Sequence, residues 1–134
     1  MVEPTIFGPH FWNAIHYMCV GAPKKLSNED KRYYKLFFNN LQYWIPCDIC
    51  SEHYEKNIKK VNIDKYLDNN NLFEFSVDLH NIVNKMLGKR EWTIEEAYQK
   101  YKYNNTCNYN KYHIIIEVFL MILIIILLVL LLQK

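Results

Sequence analysis

A long apolar run near the end of the chain limits most strongly how the rest of it can fold. From Ile114 to Leu132 the only charged residue is Glu117, and the run contains neither glycine nor proline. As a helix rising about 1.5 Å per residue, it would span roughly 28 Å, which is about the hydrocarbon core of a bilayer. A helix that is apolar on all sides needs a large core or lipid around it, and the remaining chain is too short to provide that core. We therefore predict a C-terminal transmembrane helix, a tail anchor, over residues 114–132.

The part before this run has the composition of one small globular domain. The whole chain has 134 residues, which fits one domain plus an appendage. Glycine and proline are scarce and 16% of the residues are aromatic, so a packed core is expected rather than disorder. The net charge of +2 is too small to indicate a nucleic-acid partner. Residues 1–11 lack the features of a signal peptide. We expect the domain to occupy residues 1–101 and an Asn- and Tyr-rich linker to occupy residues 102–113.

The pattern of the domain is helical throughout. Gly8-Pro9 places a proline at the first position of a helix, and Gly88 suits the position just after one. The segments 27–30 and 93–96 resemble capping boxes. The predicted fold class is all-α, a four-helix bundle plus a short fifth helix. The predicted helices begin near Pro9, Asn28, Asp48, Leu72 and Ile94 and end near Val20, Tyr43, Asn57, Leu87 and Tyr101.

Chemistry is concentrated around the motif Cys47-x-x-Cys50, which follows Pro46 and precedes His53. Pro46 ends the preceding element, so Cys47 falls at or near the N-terminus of the third helix. Backbone N–H groups and the helix dipole favour a thiolate there. A C-x-x-C loop is short enough to close as a disulfide and to open again. The motif therefore predicts a redox disulfide between Cys47 and Cys50.

The same residues allow three other interpretations. A c-type haem site needs a histidine directly after the second cysteine, where this chain has Ser51. A thioredoxin-type site needs a βαβ setting, whereas the flanks here are helical. A zinc site could use Cys47, Cys50, His53 and His80, since two sulfur and two nitrogen ligands suit tetrahedral zinc. The alternative to a redox function is accordingly a zinc-stabilised, membrane-anchored interaction module.

Two further groups of polar residues lie on predicted helices. Trp12 and His16 are spaced four apart and share a face of the first helix. His80, Asn81 and Asn84 converge on one side of an otherwise apolar fourth helix. Buried polar groups need partners, and a planar polar ligand would supply them. The structural alternatives are a core tryptophan with a satisfied histidine for the first group and a solvated helix face for the second.

Taken in order, these motifs resemble the FAD-linked sulfhydryl oxidases of the Erv/ALR family. The resemblance is carried by Trp12-x-x-x-His16, by Cys47-x-x-Cys50-x-x-His53-Tyr54, and by His80-Asn81-x-Val83-Asn84-x-x-Leu87-Gly88-Lys89. It covers residues 8–101, and the small size and composition look like the versions carried by large cytoplasmic DNA viruses. The resemblance implies a helical bundle that holds FAD at its mouth and forms a homodimer.

The resemblance also implies roles for residues at matching positions. Cys47 and Cys50 would be catalytic, with Cys47 as the outer sulfur and Cys50 facing the flavin. No metal is expected. The expected cofactor-binding residues are Gly8, Trp12, His16, His53, His80, Asn81, Val83, Asn84, Lys85, Lys89, Lys100 and Tyr101.

The chain departs from the family pattern at several positions. The family often has a disulfide between positions that are Val77 and Thr93 here, so that bridge is absent. Met86 replaces a lysine, for which Lys85 could substitute, and Tyr54 replaces the usual phenylalanine.

The implied activity is oxidation of a partner dithiol, with electrons passing through the Cys47–Cys50 disulfide to FAD and then to O₂ to give H₂O₂. The implied partners are a dithiol substrate protein or a thioredoxin- or glutaredoxin-like relay. Lysines before the apolar run outnumber the one after it, so the domain is expected on the cytosolic side of the membrane. In a viral setting this means the host cytoplasm or a virion membrane. We expect Cys19 to be a small buried apolar residue, whereas Cys107 falls in the linker.

Overall fold

The computed structural model describes residues 2–102 and 109–132, and every regular element in these ranges is helical. The elements are α1 (Pro4–Val20), α2 (Asn28–Asn40), a 3₁₀ turn (Leu41–Trp44), α3 (Asp48–Ile58), α4 (Ile63–Asp68), α5 (Leu72–Met86), α6 (Ile94–Tyr101) and α7 (Tyr109–Leu132). The predicted all-α fold is confirmed. The four long helices α1, α2, α3 and α5 form the bundle, and α6 is the short fifth helix.

Helix α5 is the central element of the bundle. It packs against α1, α3, α4 and α6, and it carries more buried side chains than the other described helices. Phe75 and Leu79 are fully buried, and Phe38 of α2 packs edge-on against Phe75 with ring centroids 4.8 Å apart. Such close-packed aromatic rings supply much of the apolar burial that a small domain needs. His80 and Asn81, near the middle of α5, are therefore held by the helix with the most buried side chains among those described.

The predicted capping signals lie where the sequence places them. The side chains of Ser27 and Thr93 each accept a hydrogen bond from the main-chain N–H three residues later. The side chains of Asp30 and Glu96 accept one from the main-chain N–H of Ser27 and Thr93. Gly88 follows α5 with φ +65°, a conformation that only glycine adopts without strain. Thr93 is thus the N-cap of α6.

Two helix boundaries differ from the sequence prediction by more than one residue. Helix α1 begins at Pro4 instead of Pro9, because a proline within the helix removes only one main-chain hydrogen bond and Pro4 already occupies the first turn. Helix α2 ends at Asn40 instead of Tyr43. The Asn40 side chain donates to the Leu36 carbonyl at 2.7 Å, and such local bonding competes with the helix.

Helix α4 was not predicted. It is short, and Asn62 caps it by accepting a hydrogen bond from the Asp64 main chain at 3.1 Å. Ile63 and Leu67 bury its inner side. The asparagine cap and the four-residue spacing of these apolar residues were the available signals, but one and a half turns are too few to establish a period.

Helix α7 belongs to a second unit of the chain, residues 104–134. Its segment Ile114–Leu131 has a mean hydropathy of 3.5 and is long and apolar enough to cross a membrane. Every side chain described in this segment is exposed. The helix begins at Tyr109, within the range predicted as linker, while Cys107 lies outside the described residues.

Candidate active site

Cys47 and Cys50 form a disulfide at the start of α3, with their Cα atoms 5.2 Å apart. Cys47 is the N-cap residue, and its Sγ accepts a hydrogen bond from the Cys50 main-chain N–H at 3.3 Å. The extended backbone of Cys47 followed by helical backbone brings the two side chains together. The predicted redox pair is therefore joined in the structure, within the usual separation of bridged cysteines.

The two sulfurs differ in access in a way the sequence did not indicate. Cys47, expected to be the outer sulfur, is only 5% exposed, whereas Cys50 is half-buried. The physical reason is that Cys47 turns back onto the first turn of α3, where its sulfur accepts the Cys50 N–H. The Val2 main chain also donates to the Pro46 carbonyl at 3.0 Å, so the N-terminal segment lies beside Cys47. Attack on Cys47 thus needs a local opening of this corner.

The surface around the disulfide is apolar. Trp44, in the 3₁₀ turn, is 76% exposed, and Ile49, between the cysteines, is 61% exposed. Large apolar side chains exposed together are uncommon on a monomer surface and are typical of contact sites. These exposed apolar side chains near the disulfide are therefore suited to contact with another protein.

A second cluster of predicted residues joins α1 to α5. The rings of Trp12 and His80 stack in parallel, with centroids 4.1 Å apart. His16 lies behind them, with its Nε2 2.9 Å from His80 Nδ1 and its Nδ1 2.9 Å from the hydroxyl of Ser76. The Tyr101 ring of α6 packs against His16 at 4.7 Å. The structure thus brings four predicted cofactor residues into one aromatic and imidazole cluster.

Both histidines are held neutral. Burial is the main cause that lowers the pKa of His16 to about 3, and the neighbouring His80 and Lys100 contribute to the same shift. The pKa of His80 falls to about 4, again mainly through burial and secondly through Lys100 and Lys89. Desolvation penalises the charged imidazolium, and nearby cations add repulsion. At neutral pH the two rings therefore act as hydrogen-bonding groups, and the positive charge of this region resides on the lysines.

Helix α6 closes one side of the cluster. The Tyr101 hydroxyl donates to Asn13 of α1 at 2.7 Å. Lys100 Nζ lies 4.6 Å from the centroid of the Trp92 ring and 5.0 Å from that of Tyr101, within the range of cation–π attraction. The Asn81 amide bonds both main-chain groups of Trp92 at 2.8 Å. Asn81, predicted to bind a cofactor, therefore fastens the segment before α6 to α5.

The remaining predicted residues are spread around this cluster. Gly8 lies on α1 two turns before His16, and an added Cβ there would meet open space. Asn84 is buried, and among the described residues none hydrogen-bonds its side chain. Val83 and His53 are half-buried, while Lys85 and Lys89 are exposed. No hydrogen bond or ring contact recorded for residues 2–102 joins His53 or Lys85 to the cluster.

Three residues of the cluster were not predicted from the sequence. Ser76 and Asn13 hydrogen-bond directly to predicted residues, and Trp92 stacks beside Tyr101 with ring centroids 6.5 Å apart. The spacing of Ser76 and His80, one helical turn, was an available signal. Asn13 and Trp92 carry no pattern of their own, because their contacts depend on how α1, α5 and α6 pack.

The described residues offer no support for the zinc alternative. No group of three or more His, Cys, Asp or Glu side chains in these ranges is arranged to hold a metal ion. Cys47 and Cys50 are joined to each other, and His80 Nδ1 is engaged by His16. A structural zinc site needs four converging ligands with free lone pairs.

The fold defines a class of helical bundle that is known from solved structures. The yeast Erv1 core matches with a TM-score of 0.68 at 21% identity, covering 76% of this chain and 86% of that one. The FAD-binding domain of Erv1 from Saccharomyces cerevisiae matches with a TM-score of 0.65 at 21% identity, covering 76% and 96%. At this level of identity the likeness concerns the fold.

Sequence similarity then gives the family. The model of the Erv1 / Alr family matches residues 9–104, and the chain belongs to this family. A protein of Acanthamoeba polyphaga mimivirus, named a probable FAD-linked sulfhydryl oxidase, is 34% identical over 98 residues, which cover 72% of this chain and 68% of the relative. A protein of Frog virus 3 (isolate Goorha) with the same activity in its name is 30% identical over 100 residues, covering 70% and 65%. The chain thus spans about two thirds of the length of these relatives.

Proposed function

We propose that this protein is an FAD-dependent thiol oxidase that introduces disulfide bonds into partner proteins. The observation that carries the proposal is the Cys47–Cys50 disulfide at the N-terminus of α3, surrounded by exposed apolar side chains. A dithiol–disulfide pair needs such access to exchange with another protein. Membership of the Erv1 / Alr family and the names of the two viral relatives agree with it.

The residues between α1, α5 and α6 fit a flavin nucleotide. Trp12 and His80 offer flat rings, and Gly8 leaves open space on the same side of α1. The Asn84 side chain makes no hydrogen bond to another described residue, and its amide is not among the atoms sealed from solvent, so a ligand can reach it. Lys89 and Lys100 supply positive charge suited to the pyrophosphate.

The protein's own chemistry is thiol–disulfide exchange. A thiolate of the partner attacks one sulfur of the Cys47–Cys50 disulfide, forming a mixed disulfide and releasing the other cysteine as a thiolate. The second thiolate of the partner then attacks the mixed disulfide. The partner leaves oxidised, with Cys47 and Cys50 reduced as a dithiol. The position of Cys47 at a helix N-terminus favours the thiolate form that must leave.

When bound, FAD would supply the redox chemistry that amino acids lack, as a two-electron acceptor for the dithiol that O₂ would reoxidise with formation of H₂O₂. In this proposal Cys50 is the cysteine from which the electrons leave. The role of the helical bundle is to hold the cysteine pair and the cofactor residues on rigid helices.

The test is the visible absorption spectrum of the full chain purified in detergent. We expect a flavin band near ~450 nm that bleaches when a dithiol is added without oxygen and returns in air with formation of H₂O₂. Cys47→Ser and Cys50→Ser should keep the band and lose the bleaching, whereas Tyr54→Phe, which keeps both cysteines, should bleach normally. A colourless folded protein, or full activity in either of the first two variants, would contradict the proposal.

The proposal includes a homodimer. An apolar groove of about 420 Å³ on the bundle surface supports it. The groove is lined by Phe11, Ala14, Ile15, Met18, Phe37, Leu41 and Trp44. Light scattering of residues 1–103, which contain all buried apolar residues described, should give twice the mass of one chain. Ala14→Glu should give a monomer, and a monomeric parent protein would remove the dimer from the proposal.

The proposal also places the protein in a membrane through α7, with the domain on the cytosolic side. The apolar segment Ile114–Leu131 supports the anchor, and the lysines that precede it support the orientation. Protease added to intact microsomes containing the protein should digest residues 1–101. Protection of the domain until detergent is added would reverse the orientation, and extraction by alkaline carbonate would argue against an integral anchor.

A further inference from the structure

Ser76 lies beneath the histidine pair and connects it to the main chain of α5. The residue is 0% exposed and lies one helical turn before His80. Its hydroxyl donates to the Phe73 carbonyl at 2.6 Å, and its oxygen lies 2.9 Å from His16 Nδ1. Burial raises the pKa of the Cys19 thiol to about 12, so this thiol stays protonated.

These contacts determine which nitrogen of His16 carries the proton. A serine hydroxyl has one hydrogen, and a carbonyl can only accept, so that hydrogen goes to Phe73. The Ser76 oxygen must then accept from His16, and His16 Nδ1 is the donor. Because burial and the neighbouring Lys100 keep the His16 ring neutral, its Nε2 carries a lone pair and no proton.

The tautomer of His16 in turn determines the tautomer of His80. His16 Nε2 accepts, so His80 Nδ1, 2.9 Å away, is the donor. A neutral His80 with a proton on Nδ1 has an unprotonated Nε2. His80 is only half-buried, and no described residue hydrogen-bonds to this nitrogen. The series of hydrogen bonds therefore ends in an acceptor, Nε2 of His80, at the surface of the cluster. It connects Phe73, Ser76, His16 and His80.

We propose that Ser76 is a positioning residue of the cofactor cleft: its hydroxyl sets both histidines as Nδ1–H tautomers, which presents Nε2 of His80 as an acceptor. The identity of the ligand, a flavin nucleotide, rests on the proposed function. The N–H and O–H groups of a flavin nucleotide can donate a hydrogen bond to Nε2 of His80. Ser76 itself touches no ligand. It acts through His16 by fixing the donor and acceptor roles in the series of hydrogen bonds from Phe73 to His80.

The first test reads the tautomers directly. Histidine ring ¹⁵N–¹H correlation spectra of the full chain in detergent, without FAD, should show His16 and His80 protonated at Nδ1 only. In Ser76→Ala, His16 Nδ1 loses its acceptor, so the bond between the rings should reverse and His80 should carry its proton on Nε2. Ser76→Thr keeps the hydroxyl and should keep the parent tautomers. A parent protein with His80 protonated at Nε2, or a Ser76→Ala protein with unchanged tautomers, would overturn the inference.

The second test measures FAD binding by flavin fluorescence in a titration of the cofactor-free protein. Loss of one hydrogen bond of the predicted orientation should weaken binding on the order of tenfold in Ser76→Ala. Ser76→Thr should stay within about twofold of the parent. Equal affinity in all three proteins would refute the positioning role while leaving the proposed function intact. Absence of FAD binding to the parent would refute the proposed function. The histidine tautomers of the parent would then still show whether the hydrogen bonds from Ser76 to His80 have the proposed direction.

Discussion

Acid should destabilise the cofactor-free domain well before its carboxylates titrate. His16 and His80 have pKa values lowered to about 3 and about 4, whereas an unfolded histidine has a pKa of about 6.5. At a pH between these pKa values, the two histidines are protonated in the unfolded chain but not in the folded domain. Stability is therefore fully present above about pH 6.5 and is lost as the pH falls toward the folded pKa values.

The magnitude depends mainly on the unfolded histidines. At pH 5 both folded rings remain neutral, while each unfolded ring is mostly protonated, which costs about 2 kcal/mol per histidine relative to pH 7.5. The pair should thus remove about 4 kcal/mol, a large part of the stability of a small domain. This result requires only that both folded pKa values lie clearly below 5. Carboxylates such as Asp30 and Glu96 have lowered pKa values as well, but they titrate below this window.

The assay is urea unfolding of cofactor-free residues 1–103, followed by circular dichroism from pH 7.5 to pH 5. The free energy of unfolding should fall by about 4 kcal/mol in the parent and by about half as much in His80→Gln. Comparing the change with pH, instead of the stability itself, removes any cost of the substitution that is independent of pH. A parent domain that loses less than ~1 kcal/mol would mean that the buried histidines titrate almost normally, which would refute the argument from burial.

Further predictions concern the two glycines that border the site and one buried hydroxyl. Gly8→Ala should stabilise the domain by about 0.5–1 kcal/mol, because alanine suits a helix interior better and meets no neighbour. Gly8→Leu should gain similarly in urea unfolding but weaken FAD binding more than ~10-fold, and unchanged binding would place the cofactor elsewhere. Gly88→Ala should cost about 1 kcal/mol because φ is +65° there; a neutral result would argue against this turn. Tyr54→Phe should lose about 1 kcal/mol, since the buried hydroxyl donates to the Phe38 carbonyl at 2.9 Å, while dithiol oxidation stays unchanged.

The features of the fold that sequence could predict are those set by local chemistry. The capping boxes at Ser27 and Thr93 and the positive φ at Gly88 depend on residues a few positions apart, and they lie where the pattern places them. The disulfide between Cys47 and Cys50 is likewise local. The start of α1 was predicted too late because Pro9 is a strong signal for a first turn, yet Pro4 satisfies the same rule five residues earlier.

The parts of the site that sequence missed depend on contacts between distant segments. Asn13 meets Tyr101 across 88 positions, and Ser76 meets His16 across 60. No periodicity in one helix reveals which polar group of another will face it. The low exposure of Cys47 has the same origin, since the N-terminal segment reaches the corner before α3 only in the folded domain.

Within the cluster of α1, α5 and α6, different residues carry the positive charge and make the hydrogen bonds. The residue composition of the cluster alone does not show this division. A list of two histidines and two lysines suggests a strongly cationic site. Burial instead keeps both imidazoles neutral, and the positive charge stays on Lys89 and Lys100, which are exposed. A neutral base with an acceptor nitrogen, next to cations at the edge, matches a ligand that combines a flat polar ring system with phosphates. Charging the histidines would add a proton where the bond chain needs a lone pair, so acid should weaken both the fold and the binding of such a ligand through the same two residues.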